Sequence, residues 1–242
     1  MKQIASVLLI FVLLASCSAR IDGVLREGGS ADLTIQANLE PRMTALIRSL
    51  KAMMGNPGQD DLILDGPSIS RSMEASPGIS SVSLVNTGPA ALDGRIAISR
   101  VEDFLSPVKE KRFITYWEGL STGRVSGRIL ISLDRETAPE LIALLSAEAV
   151  DYLSALMAPA VLGEDISKDE YLMLITSLYG AAIAQEIRSA RILASIDFPG
   201  SITAIQGGIA LANPNTRAEF ELPLLDLLVL EHPISWEISW QK

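Results

Sequence analysis

The chain has few of the residues that metal sites and disulfides require. Its 242 residues include one cysteine and one histidine, too few for a zinc finger, an iron–sulfur cluster or a disulfide framework. Basic clusters are also missing, since 20 Lys and Arg face 29 Asp and Glu and the net charge is −9. A nucleic-acid module needs a concentrated basic surface. The sequence therefore predicts no metal, no other cofactor and no nucleic-acid partner.

Long hydrophobic runs are missing as well, although apolar residues make up 48% of the chain and mean hydropathy is +0.31. This apolar content predicts a packed core rather than disorder. The run at residues 4–15 holds about 12 residues, or roughly 18 Å of helix, against a hydrocarbon core of roughly 30 Å. The run at residues 172–184 is similarly short, and it predicts a largely buried helix within a longer one at residues 167–189.

The N-terminus has the layout of a secretory signal peptide. Lys2 is the only charge before Arg20 and directly precedes the apolar run, which predicts export. The run ends in Leu14-Ala15-Ser16-Cys17. This tetrapeptide resembles the lipobox of bacterial lipoproteins, in which the cysteine is acylated and becomes the first mature residue.

The resemblance implies a signal peptide over residues 1–16 and a lipid, including palmitate, on Cys17. Two or more acyl chains make a stable anchor, so the mature protein is expected in the cell envelope. It would be tethered to the outer or inner membrane with its body in the periplasm. Residues 17–30 would form a short tether and first strand. The alternative is an ordinary secreted protein cleaved near Ala19.

Hydrophobic periodicity predicts strands before and after a pair of helices. The predicted strands are residues 21–25, 32–39, 80–86, 95–101, 112–117, 124–133, 191–198, 201–206, 209–212, 217–222 and 234–241, and the predicted helices are residues 41–54, 68–74, 137–158, 167–189 and 223–230. Gly28 and Gly29 suit a tight turn between the first two strands, and residues 32–39 alternate strictly between apolar and polar. Ser167 with Glu170 predicts a capping box at the start of the helix at residues 167–189. The expected fold is α+β: an antiparallel sheet, built as a meander of hairpins, packs against two to three helices. Residues 31–242 would form a single domain, with the C-terminal strands joining the N-terminal sheet.

No group of residues predicts catalysis. His232 lies at a turn, and no Gly-x-Ser-x-Gly elbow is present to supply a nucleophile. Ser106 and Lys109 have Ser-x-x-Lys spacing, but Pro107 disrupts the helix that would aim the lysine. Asp60, Asp61 and Asp65 lie in one loop region but lack the spacing of a calcium loop. The chain is expected not to be an enzyme, with a hydrolase of unknown type as a remote alternative.

The last strand offers a possible apolar groove. Its alternate residues Ile234, Trp236, Ile238 and Trp240 share one face, which could hold a lipid between sheet and helices. The alternative is that they are the core face of the strand.

One further resemblance favours lipid binding. Phe198-Pro199-Gly200, the following strand, Gly207-Gly208 and later strands ending in Trp are similar to the C-terminal part of LppM-like lipoprotein domains. That resemblance implies a curved antiparallel sheet with helices and a link to envelope lipids. The whole chain also resembles lipoproteins of spirochaete envelopes. The expected function is a non-catalytic lipoprotein that binds a lipid or amphiphile, or alternatively a structural or assembly subunit of an envelope complex.

Overall fold

The computed structural model describes residues 18–53, 62–106, 113–121, 123–139, 157, 164–212 and 215–242. The strands in these ranges are β1 Ser18–Leu25, β2 Ala31–Asn38, β3 Ile79–Gly88, β4 Ala91–Ile98, β5 Ile114–Ser121, β6 Arg124–Leu133, β7 Arg191–Asp197, β8 Ser201–Gln206, β9 Ile209–Ala212, β10 Arg217–Pro223 and β11 Ile234–Gln241. The helices are α1 Pro41–Met53, α2 Gly66–Glu74, α3 Val101–Leu105, α4 Lys168–Tyr179, α5 Ala181–Ser189 and α6 Leu224–Val229.

Seven strands form the larger sheet, sheet A, in the order β3-β4-β2-β1-β7-β10-β9. Every neighbouring pair is antiparallel except β1 and β7, which run parallel with Ser18 opposite Arg191. Strand β1 therefore lies between the N-terminal strands and the C-terminal strands. The prediction that the C-terminal strands join the N-terminal sheet is confirmed for β7, β9 and β10 and is wrong for β8 and β11, which lie in a separate four-stranded sheet.

The other four strands form sheet B, in the order β5-β6-β11-β8. The predicted α+β class is confirmed, but the strands are divided between two sheets. The expected continuous meander over residues 80–133 is wrong, because β4 pairs with β2 and β3 whereas β5 pairs with β6. Helix α3 follows β4 and separates the two hairpins along the chain.

The β1–β2 hairpin forms where the paired glycines predict it. Gly28 and Gly29 have φ values of 77° and 75°, which side chains with a Cβ rarely adopt. The Arg26 N–H donates to the Ser30 carbonyl at 2.8 Å and closes the turn. Alternation then fixes which face is buried, as predicted: Ile21 and Ile35 lie opposite each other and both are buried.

The two faces of sheet A differ in chemistry. Alternate residues of its strands are buried beneath the helices, whereas the opposite face is polar and carries ion pairs between neighbouring strands. Arg217 binds both carboxylate oxygens of Asp197, at 2.8 and 2.5 Å. These hydrogen bonds lower the pKa of Asp197. Such exposed pairs add little stability, so the helix-covered face supplies most of the hydrophobic driving force.

Two helix starts are held by carboxylates. The predicted capping box of α4 is confirmed: the Glu170 N–H donates to Ser167 Oγ, and the Ser167 N–H donates to Glu170 Oε2 at 2.9 Å. These bonds from Ser167 lower the pKa of Glu170. At the start of α1, the Met43 N–H donates to Glu186 Oε2 at 3.0 Å, so α5 supplies the carboxylate that binds the first turn of α1.

The helix predicted at residues 167–189 differs from expectation in two ways. It breaks at Gly180, which has a φ of 92° and ends α4 before α5 begins. The prediction that it is largely buried is wrong, since Met173 is 65% exposed and Leu178 is 62% exposed. Only the face with Tyr171, Leu172 and Ile175 reaches the core. A helix that is apolar nearly all round can bury only the side that its neighbours cover.

Several sequence predictions lie wholly or largely outside the described residues. These are the signal peptide at residues 1–16, Cys17, Asp60, Asp61, Lys109 and most of the helix predicted at residues 137–158. None of the helices in the described ranges is long and apolar enough to cross a bilayer.

Candidate functional site

Sheet B has an inner face made of rows of apolar side chains. In β11, Trp236 lies opposite Ile131, and Ile238 lies opposite Ile129 on one side and Ile205 on the other. Because side chains alternate along a strand, the four residues predicted to line a groove share this face. They are Ile234, Trp236, Ile238 and Trp240.

One end of this face is closed by Trp240. Its side chain is 1% exposed, and its ring centroid lies 5.0 Å from that of Phe198 and 6.2 Å from that of Tyr116. The indole crosses Gly127 on β6, where any Cβ would overlap it. Trp240 Nε1 is buried without a hydrogen-bond partner among the described residues. That costs about 1–3 kcal/mol, so the packing of the ring must more than offset it.

The other end of the inner face is less enclosed. Ile238 is 1% exposed, but Ile234 and Trp236 are only half-buried. The Trp236 ring packs against Phe220 of β10, with centroids 5.2 Å apart. The predicted groove stays a prediction, and within the described chain its accessible part is the Ile234 and Trp236 end.

A cleft of about 290 Å³ lies between the β1–β2 turn and β5. Tyr116 donates its hydroxyl proton to Glu118 Oε2 at 2.6 Å, and the Gly28 N–H donates to Glu118 Oε1 at 2.9 Å. Burial, and then the bond to Glu118, raises the pKa of Tyr116, which keeps the phenol neutral. Both oxygens of Glu118 are engaged, so this carboxylate joins sheet A to sheet B rather than offering a free general base.

The outer face of sheet B carries a groove that the sequence analysis missed. It measures about 530 Å³, and Trp117, Leu130 and Trp240, with Gly127, supply its apolar lining. Its polar lining consists of Thr115, Ser126, Arg128, Thr203, Ser239 and Gln241. We call it the outer groove. Strict alternation in β5 could have indicated it, because Tyr116 and Trp117 must face opposite sides of the sheet.

Of the residues considered for catalysis, Ser106 and His232 lie within the described part of the chain and Lys109 does not. Ser106 donates its hydroxyl to the Asp103 carbonyl at 2.7 Å, and His232 lies at the exposed turn before β11. The described residues include no group of three or more His, Cys, Asp or Glu side chains that could hold a metal.

The chain was compared with known proteins. No family model matches it, and no curated protein sequence matches it. Among solved structures, it is similar to the folded domain of LppM from Mycobacterium tuberculosis, determined by NMR. The TM-score is 0.38 and the identity 9%, over 93% of this chain and 89% of that one. At this level the likeness carries no argument about fold or function.

We predict that Gly127→Ala destabilises the protein. The new methyl group would overlap the Trp240 indole, and overpacking of this kind costs about 1–3 kcal/mol. Urea unfolding would measure the change. The control is Gly208→Ala, where nothing lies within 4 Å of an added Cβ, and we expect a change within about 0.5 kcal/mol. Equal unfolding midpoints for the two variants would contradict this account of Trp240.

Proposed function

We propose that the protein is a non-catalytic lipoprotein of the cell envelope that binds a lipid or other amphiphile. In this proposal an acyl group on Cys17 anchors the chain to a membrane, and the folded body lies in the periplasm. The ligand occupies the inner face of sheet B near Ile234 and Trp236.

The sequence and the start of β1 support the anchor. The tetrapeptide Leu14-Ala15-Ser16-Cys17 ends the apolar run, and β1 begins at Ser18 with main-chain partners on both sides, Asn38 and Arg191. Consecutive Cα atoms are about 3.8 Å apart. The lipid attachment point would therefore adjoin the central strand of sheet A, and anchor and body would be coupled without a linker.

The half-buried pair Trp236 and Phe220 is the observation that carries the lipid proposal. An aromatic pair with centroids 5.2 Å apart offers a large apolar contact area, and Ile131 extends it across the strands. Trp236 remains half-buried, whereas Trp240 on the same face is sealed. Apolar surfaces of this kind hold acyl chains or other amphiphiles mainly by removing apolar surface from water.

Existing hydrogen bonds favour a non-catalytic role. Glu118 is bound by Tyr116 and by the Gly28 N–H, and the Ser106 hydroxyl is donated to a main-chain carbonyl. A general base or a nucleophile must instead be free to meet a reacting group.

We expect Cys17→Ser to abolish incorporation of radioactive palmitate, because a hydroxyl cannot replace the lipobox thiol. The precursor should also stay uncleaved, which electrophoresis would detect. Ser18→Ala, outside the lipobox, is the matched control and should be labelled and processed like the wild type. Unchanged labelling of Cys17→Ser would refute the anchor and leave the lipid-binding proposal standing.

We expect Trp236→Ala to weaken binding of a fluorescent fatty acid by about tenfold, which corresponds to 1.4 kcal/mol. Fluorescence titration of the chain from Ser18 onward would measure it, and native mass spectrometry would detect a co-purified ligand. Trp117→Ala, on the opposite face of the same sheet, is the control and should bind the probe normally. If wild-type protein holds no ligand and takes up no probe, the lipid proposal fails.

The second candidate function is a structural subunit of an envelope complex. The exposed apolar side of α4, with Met173, Leu174 and Leu178, is the observation that favours it, because large exposed apolar patches mark interaction surfaces. Affinity purification from solubilised membranes should then recover a stoichiometric partner, and Met173→Lys with Leu178→Lys should release it. Val85→Lys, at another exposed apolar residue, should retain the partner. Reproducible absence of a partner from the wild type would exclude this function.

A further inference from the structure

The outer groove is built around Trp117, an indole that the fold leaves exposed. Trp117 lies on β5 opposite Arg128 of β6 and is 52% exposed. Single exposed apolar residues are common on protein surfaces and need no explanation by themselves. Here the indole forms one wall of a groove of about 530 Å³, within the size range of small-molecule sites.

The adjacent glycine holds the ring flat. A Cβ on Gly119 would lie 2.8 Å from Trp117 Cζ2 and 3.3 Å from Cε2, so the indole extends along the strand over the position where a side chain would stand. The indole therefore covers Gly119, and Trp117 lines both the outer groove and the cleft beside the β1–β2 turn. A bare glycine two residues along the same strand thus makes Trp117 a flat aromatic platform.

The surroundings of the platform are polar and rich in hydroxyls. Thr115, Ser126, Thr203 and Ser239 contribute hydroxyl groups, and Gln241 contributes an amide. The Thr203 hydroxyl donates to the Ser239 carbonyl at 3.2 Å, which leaves its lone pairs able to accept. The groove therefore offers both donors and acceptors beside an apolar ring face.

Charge in the outer groove is compensated within the protein. Among the described residues Arg128 is the one cation that lines it, and its Nη2 lies 2.8 Å from Glu237 Oε2 on β11. A phosphate or carboxylate ligand would have to compete with Glu237 for this guanidinium. A neutral ligand would not.

The middle of the outer groove offers side chains rather than main-chain groups. The groove spans β5, β6, β11 and β8, and β6 and β11 are paired on both sides. Strands β5 and β8 are the edges of sheet B in the described chain, and a peptide that binds by strand addition would lie along one of these edges. A ligand that lies across the four strands of the groove is instead recognised by side chains, through a ring face and scattered hydroxyl and amide groups.

We propose that the outer groove binds a neutral carbohydrate chain. A pyranose ring presents C–H groups on its face and hydroxyls around its rim. The C–H face would lie on Trp117, and the rim hydroxyls would bond to the Ser, Thr and Gln side chains. This site lies on the opposite face of sheet B from the lipid face, so it is independent of the proposed function.

The test is saturation-transfer NMR on the full lipidated protein in a detergent without a sugar headgroup. The probes are three neutral trisaccharides, namely chitotriose, cellotriose and maltotriose, each at about 10 mM, which detects affinities down to the millimolar range. We expect at least one to bind, with saturation strongest on the C–H protons of one ring face.

Three variants then address the platform. Trp117→Ala should lower affinity by about tenfold or more, and Trp117→Phe should retain part of it. Gly119→Ala should also weaken binding, because its methyl group tilts an indole that is still present. Leu120→Ala, at an exposed apolar residue of the same strand that does not line the groove, is the matched control and should bind like the wild type. Unfolding midpoints confirm that each variant is folded. If Trp117→Ala does not fold, the affinity of Trp117→Phe tests the role of the indole instead.

The proposal is overturned if no trisaccharide gives a saturation signal. It is also overturned if Gly119→Ala binds like the wild type and so does the folded variant at Trp117, whether Trp117→Ala or, in its place, Trp117→Phe. A third contradictory result would be an acyl-chain or peptide probe that binds at Trp117 while the trisaccharides do not.

Discussion

The pairing of β1 between β2 and β7 is the constraint on which the rest of the structure depends. This strand makes antiparallel bonds to its hairpin partner and parallel bonds to a strand more than 160 residues later in the chain. It thereby joins the N-terminal and C-terminal strands into one sheet with one buried face. Parallel pairing needs a long connection, and here that connection contains all of β2 to β6 and α1 to α5.

A second set of contacts joins the two sheets. Trp240 of sheet B packs on Phe198, which directly follows β7 of sheet A, and Glu118 of β5 accepts the Gly28 N–H in the β1–β2 turn. Trp240 can occupy this place because Gly127 leaves room for its ring. The inner face of sheet B supplies the side chains of this junction. The alternate side chains on its outer face take no part in it.

The two faces of sheet B therefore have different chemistry while sharing one backbone. The inner face runs from the sealed Trp240 to the half-buried Trp236, and apolar contact dominates it. The outer face combines one flat indole with hydroxyl and amide groups. An acyl chain suits the first surface and a sugar suits the second.

The sequence by itself determined the local elements and the faces they bury. Alternation in β2 and β11, the glycines of the first turn and the capping box of α4 are all short-range features, and the structure has them as predicted. It also identified that Ile234, Trp236, Ile238 and Trp240 share a face, because the period of a strand is local.

Only the tertiary structure decided which strands pair beyond the local hairpins, because such pairing depends on contacts between distant segments. It separated β5 and β6 from β3 and β4, and it set Trp240 in the core while Trp236 stayed half-buried. It also exposed one side of α4, whose composition alone predicted burial, because covering a helix face requires a neighbour. The outer groove followed for the same reason, since its lining comes from four strands that meet only in the folded sheet.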